Sequence, residues 1–255
     1  MSEKLKIGCF LCNWAFSQQQ VSTVSQENPV PYEARIARVR CLGRVDPVAV
    51  LEALEKGMDG ILLIGCTPPD CHFVEGNVYA EHMLKLLKKL LSMAGLEPER
   101  LDMRLYSPQA EFKLEEILND FAIQLQKCGR SPLAERTDEN LLLAVSAAKN
   151  VAAAFRARLL GGRERMLTEG VNVYGERISP EEYERLIDEV LNAELVRYKI
   201  YLMARKRPIS VKEAAASFNM DPSIVLRHVV TLRRRGMLAL DHVEGQTPLY
   251  KALEV

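Results

Sequence analysis

The sequence predicts an α/β domain built on a small four-stranded parallel sheet, then a helical segment, then a compact C-terminal module. Three observations predict this. Over residues 1–130 short apolar runs alternate with stretches of helical periodicity. Residues 131–205 hold two long helical patterns and no strand pattern. Residues 206–255 compress two short helices and two short strand patterns into one stretch.

In the first domain, Lys6–Leu11 reads as a buried strand, and Ala34–Arg40, mixing apolar and basic residues, as a second. Pro47–Lys56 reads as a helix, with Asp46 as its cap and Pro47 at its first position. Asp59–Gly65 contains the continuous run Ile61-Leu-Leu-Ile64 expected of a strand covered on both faces. Asn77–Ala94 is a helix with apolar Met83, Leu84, Leu86, Leu87, Leu90 and Leu91, stopped by Gly95. Leu101–Leu105 reads as a strand and Pro108–Lys127 as a helix. Strands alternating with helices imply parallel pairing with helices on the sheet faces.

The helical segment spans Thr137–Leu160 and Pro180–Arg205, the latter opening on the capping box Ser179-Pro-Glu-Glu182. Gly161-Gly162 and Gly170–Gly175 punctuate the space between them. No chemistry is legible there, and it reads as a spacer or docking surface. In the last module, Val211–Phe218 and Pro222–Arg235 flank the turn Asn219-Met-Asp-Pro222. Met237–Leu240 and Leu249–Leu253 form a hairpin around Glu244-Gly245. Helix, turn, helix and hairpin together are winged-helix-like. The units are therefore 1–130, 131–205 and 206–255.

Apolar residues make up 48% of the chain and charged residues 27%, the composition of a globular protein. The 34 Lys and Arg balance the 34 Asp and Glu, so no global positive field argues for nucleic acid. The N-terminus lacks a signal peptide's apolar core, and no run approaches the roughly 18 apolar residues of a membrane span. A cytoplasmic protein without membrane association is the expectation.

Five of the six cysteines fall in the first third of the chain. In a reducing compartment such crowding points to metal or redox chemistry rather than structural disulfides. Cys12, Cys41 and Cys66 each follow a predicted strand, and Cys71 shares the loop of Cys66. Parallel strands open their loops at one carboxyl edge, where α/β sheets bind ligands. Four thiolates there suit zinc or an iron–sulfur cluster. The gaps of 28, 24 and 4 residues are not a zinc-ribbon pattern, and a binuclear cluster tolerates ligands from separate loops better. Gly43, Gly65 and Gly76 would let backbone amides approach the sulfurs.

Other readings stand beside these. Cys9-x-x-Cys12 also fits a thioredoxin-like redox pair, and Cys128 reads as an inert buried thiol. His72 fits a ligand or hydrogen-bond donor at the site as well as a packed or partner-facing ring. Arg44 and Asp70 fit charge balance, or pairing with each other. Trp14 fits a shield against water as well as an ordinary core or interface residue. Between Arg205 and Arg235 eight basic residues face two acidic ones, which fits DNA phosphates as well as a protein partner.

The segments Phe10-Leu-Cys-Asn-Trp14, Arg40-Cys-Leu-Gly-Arg-Val-Asp-Pro47, Gly65-Cys-Thr-Pro-Pro-Asp-Cys-His-Phe73, Glu75-Gly-Asn77 and Gly95-Leu-Glu-Pro-Glu-Arg100 occur in this order. Together they resemble the delta subunit of methyl-viologen-reducing hydrogenase, over about residues 5–130. The resemblance implies a 2Fe–2S cluster held by Cys12, Cys41, Cys66 and Cys71. It further implies a non-catalytic electron relay between an electron-input oxidoreductase and a heterodisulfide-reductase-like flavoprotein. Two departures matter. Ala15 stands where the family has a second early cysteine, and Pro69 where it has glycine. The first ligand is therefore Cys12 or Cys9, with Cys12 preferred because Cys9 lies within the strand. The alternatives of a different class are a redox-responsive DNA-binding regulator and a zinc-stabilised structural subunit.

Overall fold

The computed structural model describes residues 4–15, 32–107 and 113–254. Its first sheet contains β1 (Leu5–Cys12), β2 (Tyr32–Val39), β3 (Gly60–Cys66) and β4 (Leu101–Tyr106), ordered β2-β1-β3-β4. All three pairings are parallel. Every residue of β3 is buried, as its unbroken apolar run requires of a central strand. β2, at an edge, exposes charged residues such as Glu33, Arg35 and Arg38.

The helices of this domain are α1 (Pro47–Glu55), α2 (Gly76–Ala94) and α3 (Leu114–Cys128). Asp46 caps α1, its side chain accepting from the Val48 N–H at 3.0 Å. Gly95 ends α2 in the left-handed conformation. The helix expected from Pro108 begins at Leu114, and residues 108–112 of that expectation lie outside the described residues.

The amino edge of the sheet is tied by buried charge. Asp59 accepts from the N–H groups of Lys6 and Ser131 at 2.7 and 2.6 Å and from Arg130 at 3.2 Å. Arg100, fully buried, donates to the carbonyls of Asp59, Cys128, Gly129 and Arg130. Both charges thus carry the partners that burial demands.

The helical segment comprises α4 (Glu139–Ala153), α5 (Phe155–Gly162), α6 (Glu164–Thr168) and α7 (Pro180–Lys206). The single helix expected over Thr137–Leu160 is instead broken, with Ala154 extended between α4 and α5. The sequence there contains no proline or glycine. The bend is held by Arg158, which turns back onto the Ala152 carbonyl (3.1 Å) and pairs with Asp46 (2.8 Å). The Ser179–Glu182 capping box opens α7 as expected.

α7 runs through both hydrophobic cores: Leu191 and Leu195 belong to the first, Ile200 and Ala204 to the second. The C-terminal module holds β5 (Ile209–Ser210), α8 (Val211–Phe218), α9 (Pro222–Arg234), β6 (Leu238–Glu244) and β7 (Thr247–Ala252). Its sheet is antiparallel, ordered β5-β7-β6. Val225, Val229 and Leu232 turn one face of α9 into this core. Among the described residues, no helix is long and apolar enough to cross a membrane.

Candidate metal centre

The strand order reverses at β1 and β3, since the chain leaves β1 for one neighbour and returns on its other side. The crevice outside the carboxyl ends at such a switch point is where α/β sheets bind ligands. Here those ends are cysteines. Leu11 pairs with Ile64, so Cys12 and Cys66 finish neighbouring strands, and their sulfurs lie 3.8 Å apart. The Cys12 thiol also faces the Arg40 carbonyl, at 3.8 Å. Sulfurs bonded at about 2.3 Å to one tetrahedral metal are separated by about 3.8 Å.

Cys41 and Cys71 approach from the loops after β2 and β3. Both crowd Gly76, the first residue of α2: a Cβ there would stand 2.2 Å from the Cys41 Sγ and 3.4 Å from the Cys71 Sγ. Gly43 is required for a related reason, since its Cβ would meet the Gly76 carbonyl at 2.7 Å. Gly65 serves packing instead, leaving room for the Leu42 side chain rather than for an amide at a sulfur. The loop leading into α2 holds Val74 at φ 64°, a left-handed conformation that a β-branched residue rarely adopts.

None of the four thiols is more than 8% exposed. Burial raises the Cys41 thiol, opposed by a hydrogen bond from the Gly43 N–H, with the neighbouring Cys71 and Cys12 raising it further. Cys66 is pushed up to about 12, by burial first and then by Cys12, while the His72 N–H works in the opposite direction. Cys41 and Cys66 are thus raised by neighbouring thiols and lowered by the Gly43 and His72 amides. This donor set fits a group bound by thiolates and stabilised by N–H donors. Among the described residues, no three of the His, Cys, Asp and Glu side chains close around a single-ion position. The arrangement is two sulfur pairs rather than one compact tetrad.

The other named residues separate clearly. Cys9, three positions before Cys12, falls on the opposite face of β1. It is 1% exposed within the core, and burial pushes its thiol up to about 12. Cys128 is half-buried rather than enclosed, which corrects its reading as a buried thiol. Asp70 does not pair with Arg44: it accepts from the Ser107 hydroxyl at 2.9 Å, because its loop folds back toward the end of β4. His72 stacks on Trp14.

One residue had no assigned role in the sequence. Asn77, 4% exposed, donates from Nδ2 to the Cys66 carbonyl at 3.1 Å and so anchors the third cysteine loop to α2. Its signal was a polar side chain on the buried face at the start of an amphipathic helix.

Four buried thiols at the switch point of a parallel sheet define a cysteine-rimmed α/β protein. The chain belongs to the family of the delta subunit of methyl-viologen-reducing hydrogenase, whose model matches residues 7–129. It is 38% identical over 131 residues to the iron-sulfur subunit of F420-non-reducing hydrogenase from Archaeoglobus profundus, covering 51% of this chain and 96% of the relative. A second such relative, the vhc iron-sulfur subunit of F420-non-reducing hydrogenase from Methanococcus voltae, is 32% identical over 132 residues, 52% of this chain and 92% of its own. One component of the ferredoxin/F420H2-dependent CoB-CoM heterodisulfide reductase from Methanosarcina acetivorans is 34% identical over 123 residues, 48% of this chain but only 16% of its own.

Proposed function

We propose that this chain is a non-catalytic electron-relay subunit that holds a 2Fe–2S cluster through Cys12, Cys41, Cys66 and Cys71. One observation carries the reading: four buried thiols from three loops converge at the sheet's switch point, with Cys12 and Cys66 at 3.8 Å and Cys41 and Cys71 together over Gly76. Relatives over this same stretch bear the name of iron-sulfur subunits. Cys12 is preferred to Cys9 because Cys9 faces the other side of β1.

Such a cluster, when bound, supplies a one-electron store whose potential responds to N–H donors and burial. The chain's own contribution is then to bury the thiols, to aim the Gly43 and His72 amides at two of them, and to hold the loops at fixed spacing. The partners in this reading are an electron-input oxidoreductase and a heterodisulfide-reductase-like flavoprotein, supported by likeness to components of both kinds of enzyme. A cytoplasmic location accords with the lack of a membrane-crossing helix among the described residues.

We take 1–130 as the cluster unit, 131–205 as a docking segment and 206–255 as a winged-helix-like module that binds protein. The DNA-binding alternative has less support. Arg235 is occupied by Glu194 and Arg207 by Glu213, and the β6–β7 hairpin carries Asp241 and Glu244. Acidic groups there would repel phosphates.

The test is anaerobic purification followed by iron and sulfide analysis, visible and EPR spectra, and identification of co-purifying proteins. Two irons per chain and a flavoprotein partner are expected. Cys66→Ser and Cys71→Ser should each lose the chromophore, and Cys128→Ser should keep it. A colourless protein with one zinc, or unchanged iron in both loop variants, refutes the assignment.

A further inference from the structure

Two of the cysteine loops each carry an aromatic ring next to the thiol. Trp14 lies two residues past Cys12, and His72 follows Cys71 directly. Their rings stack with centroids 3.5 Å apart and planes 12° from parallel. Phe73 meets the His72 ring edge-on at 5.0 Å. Trp14 and Phe73 remain 46% and 50% exposed, whereas the thiols on the same loops are almost wholly buried.

Both rings are fixed from the backbone. The turn after β1 closes with the Ala15 N–H on the Cys12 carbonyl at 3.2 Å, and the Asn13 N–H reaches the Val39 carbonyl at 2.8 Å. Arg38 holds the Asn13 side chain at 3.1 Å. On the other side, the Val74 N–H donates to the Cys71 carbonyl at 2.8 Å and the Glu75 N–H to the Phe73 carbonyl at 2.7 Å. Neither ring hangs free, so the stack joins the Asn13–Ala15 turn to the Cys71–Val74 turn, each held by its own backbone bonds. An aromatic pair with one face to water shields what lies behind it and resists separation of the segments that carry it.

We propose that the Trp14–His72 stack is a clasp that closes the cysteine rim. It holds the loop after β1 to the loop after β3 and keeps water and small reagents from the thiols. The inference rests on the four-cysteine reading only for what the rim holds. Trp14 and His72 act as positioning residues, and the clasp exists in metal-free protein.

The test therefore begins with the reduced, metal-free full chain under anaerobic conditions. Labelling of each cysteine by iodoacetamide is followed by peptide mass spectrometry. Trp14→Ala and His72→Ala should each speed labelling of the four rim thiols about fivefold, the opening that one aromatic pair restrains. Trp14→Phe should stay within about twofold of the parent, since a smaller ring still stacks. Cys9 and Cys128 should be unaffected in all three variants. Rim thiols that label at the parent rate overturn the proposal. So does equal acceleration at Cys9, which would report a loosened domain instead of an opened rim.

Trp14 is the chain's one tryptophan, so its fluorescence reads the stack directly. His72→Ala should raise its collisional quenching by acrylamide, and an unchanged quenching constant removes the stack. A parent protein that passes these tests yet binds no iron would end the relay reading and leave the clasp standing.

Discussion

Gly76 has no side chain because a sulfur occupies the space. A methyl group there would come within 2.2 Å of the Cys41 Sγ, and cysteine is too short to swing away without leaving the rim. Gly76→Ala is therefore expected to cut iron per chain several-fold while leaving the circular-dichroism spectrum unchanged. Cys9 and Cys12 make the complementary comparison. Cys9→Ser buries a hydroxyl in an apolar layer and should cost about 1–3 kcal/mol in urea unfolding, with iron retained. Cys12→Ser should lose the iron. The sequence preferred Cys12 because Cys9 falls within a strand pattern, and the fold adds that Cys9 lies on the opposite face of β1. The role of Asn77 was not legible because its bond to the Cys66 carbonyl depends on how the loop between them folds, and the Trp14–His72 stack was not because it joins loops far apart in sequence.

Among the elements, the first sheet has two ends with different duties. Its carboxyl edge gathers thiols, and its amino edge gathers Asp59, Arg100 and Arg130. Asp59→Ala would strand the N–H groups of Lys6 and Ser131 in a dry site, at a cost of about 1–3 kcal/mol for each. Urea unfolding should show the loss, and iron content should not change, because the site lies at the other end of the strands. Strands and helices of this domain were readable from apolar periodicity, which local sequence carries. The break at Ala154 was not: Arg158 closes it through Asp46, more than a hundred positions earlier.

Across the molecule, α7 links the cysteine domain to the C-terminal module. Glu194, 1% exposed on that helix, gathers Arg156 from α5, Arg197 from its own helix and Arg235 from the end of α9. Arg235 is held through both its terminal nitrogens, at 2.8 and 2.9 Å. Burial opposes ionisation of this carboxyl, and the guanidiniums outweigh it, holding it below its ordinary range. Its contribution is therefore present above the unfolded value near 4.5 and lost as pH falls through the folded one. Glu194→Ala should cost about 1–3 kcal/mol at neutral pH, since it leaves the mostly buried Arg197 without its carboxylate while Arg235 and Arg156 still reach water. The gap to the parent should narrow in acid, as denaturation at stepped pH would show. Arg158–Asp46 and Arg165–Glu75, both at 2.8 Å, carry the contact onward to the loops after Cys41 and before Gly76.

The alternation of strand and helix, the capped start of α7, the crowding of cysteine into one domain and the family can all be read along the chain. They depend on periodicity, capping chemistry and residue order, which are local properties. That Cys12 and Cys66 end adjacent strands, that Cys41 and Cys71 share the space over Gly76, and that Cys9 turns away emerged only once the chain was folded. Those facts depend on strand order and register. Register is set by how the two faces of the sheet are buried, and no single segment contains that information.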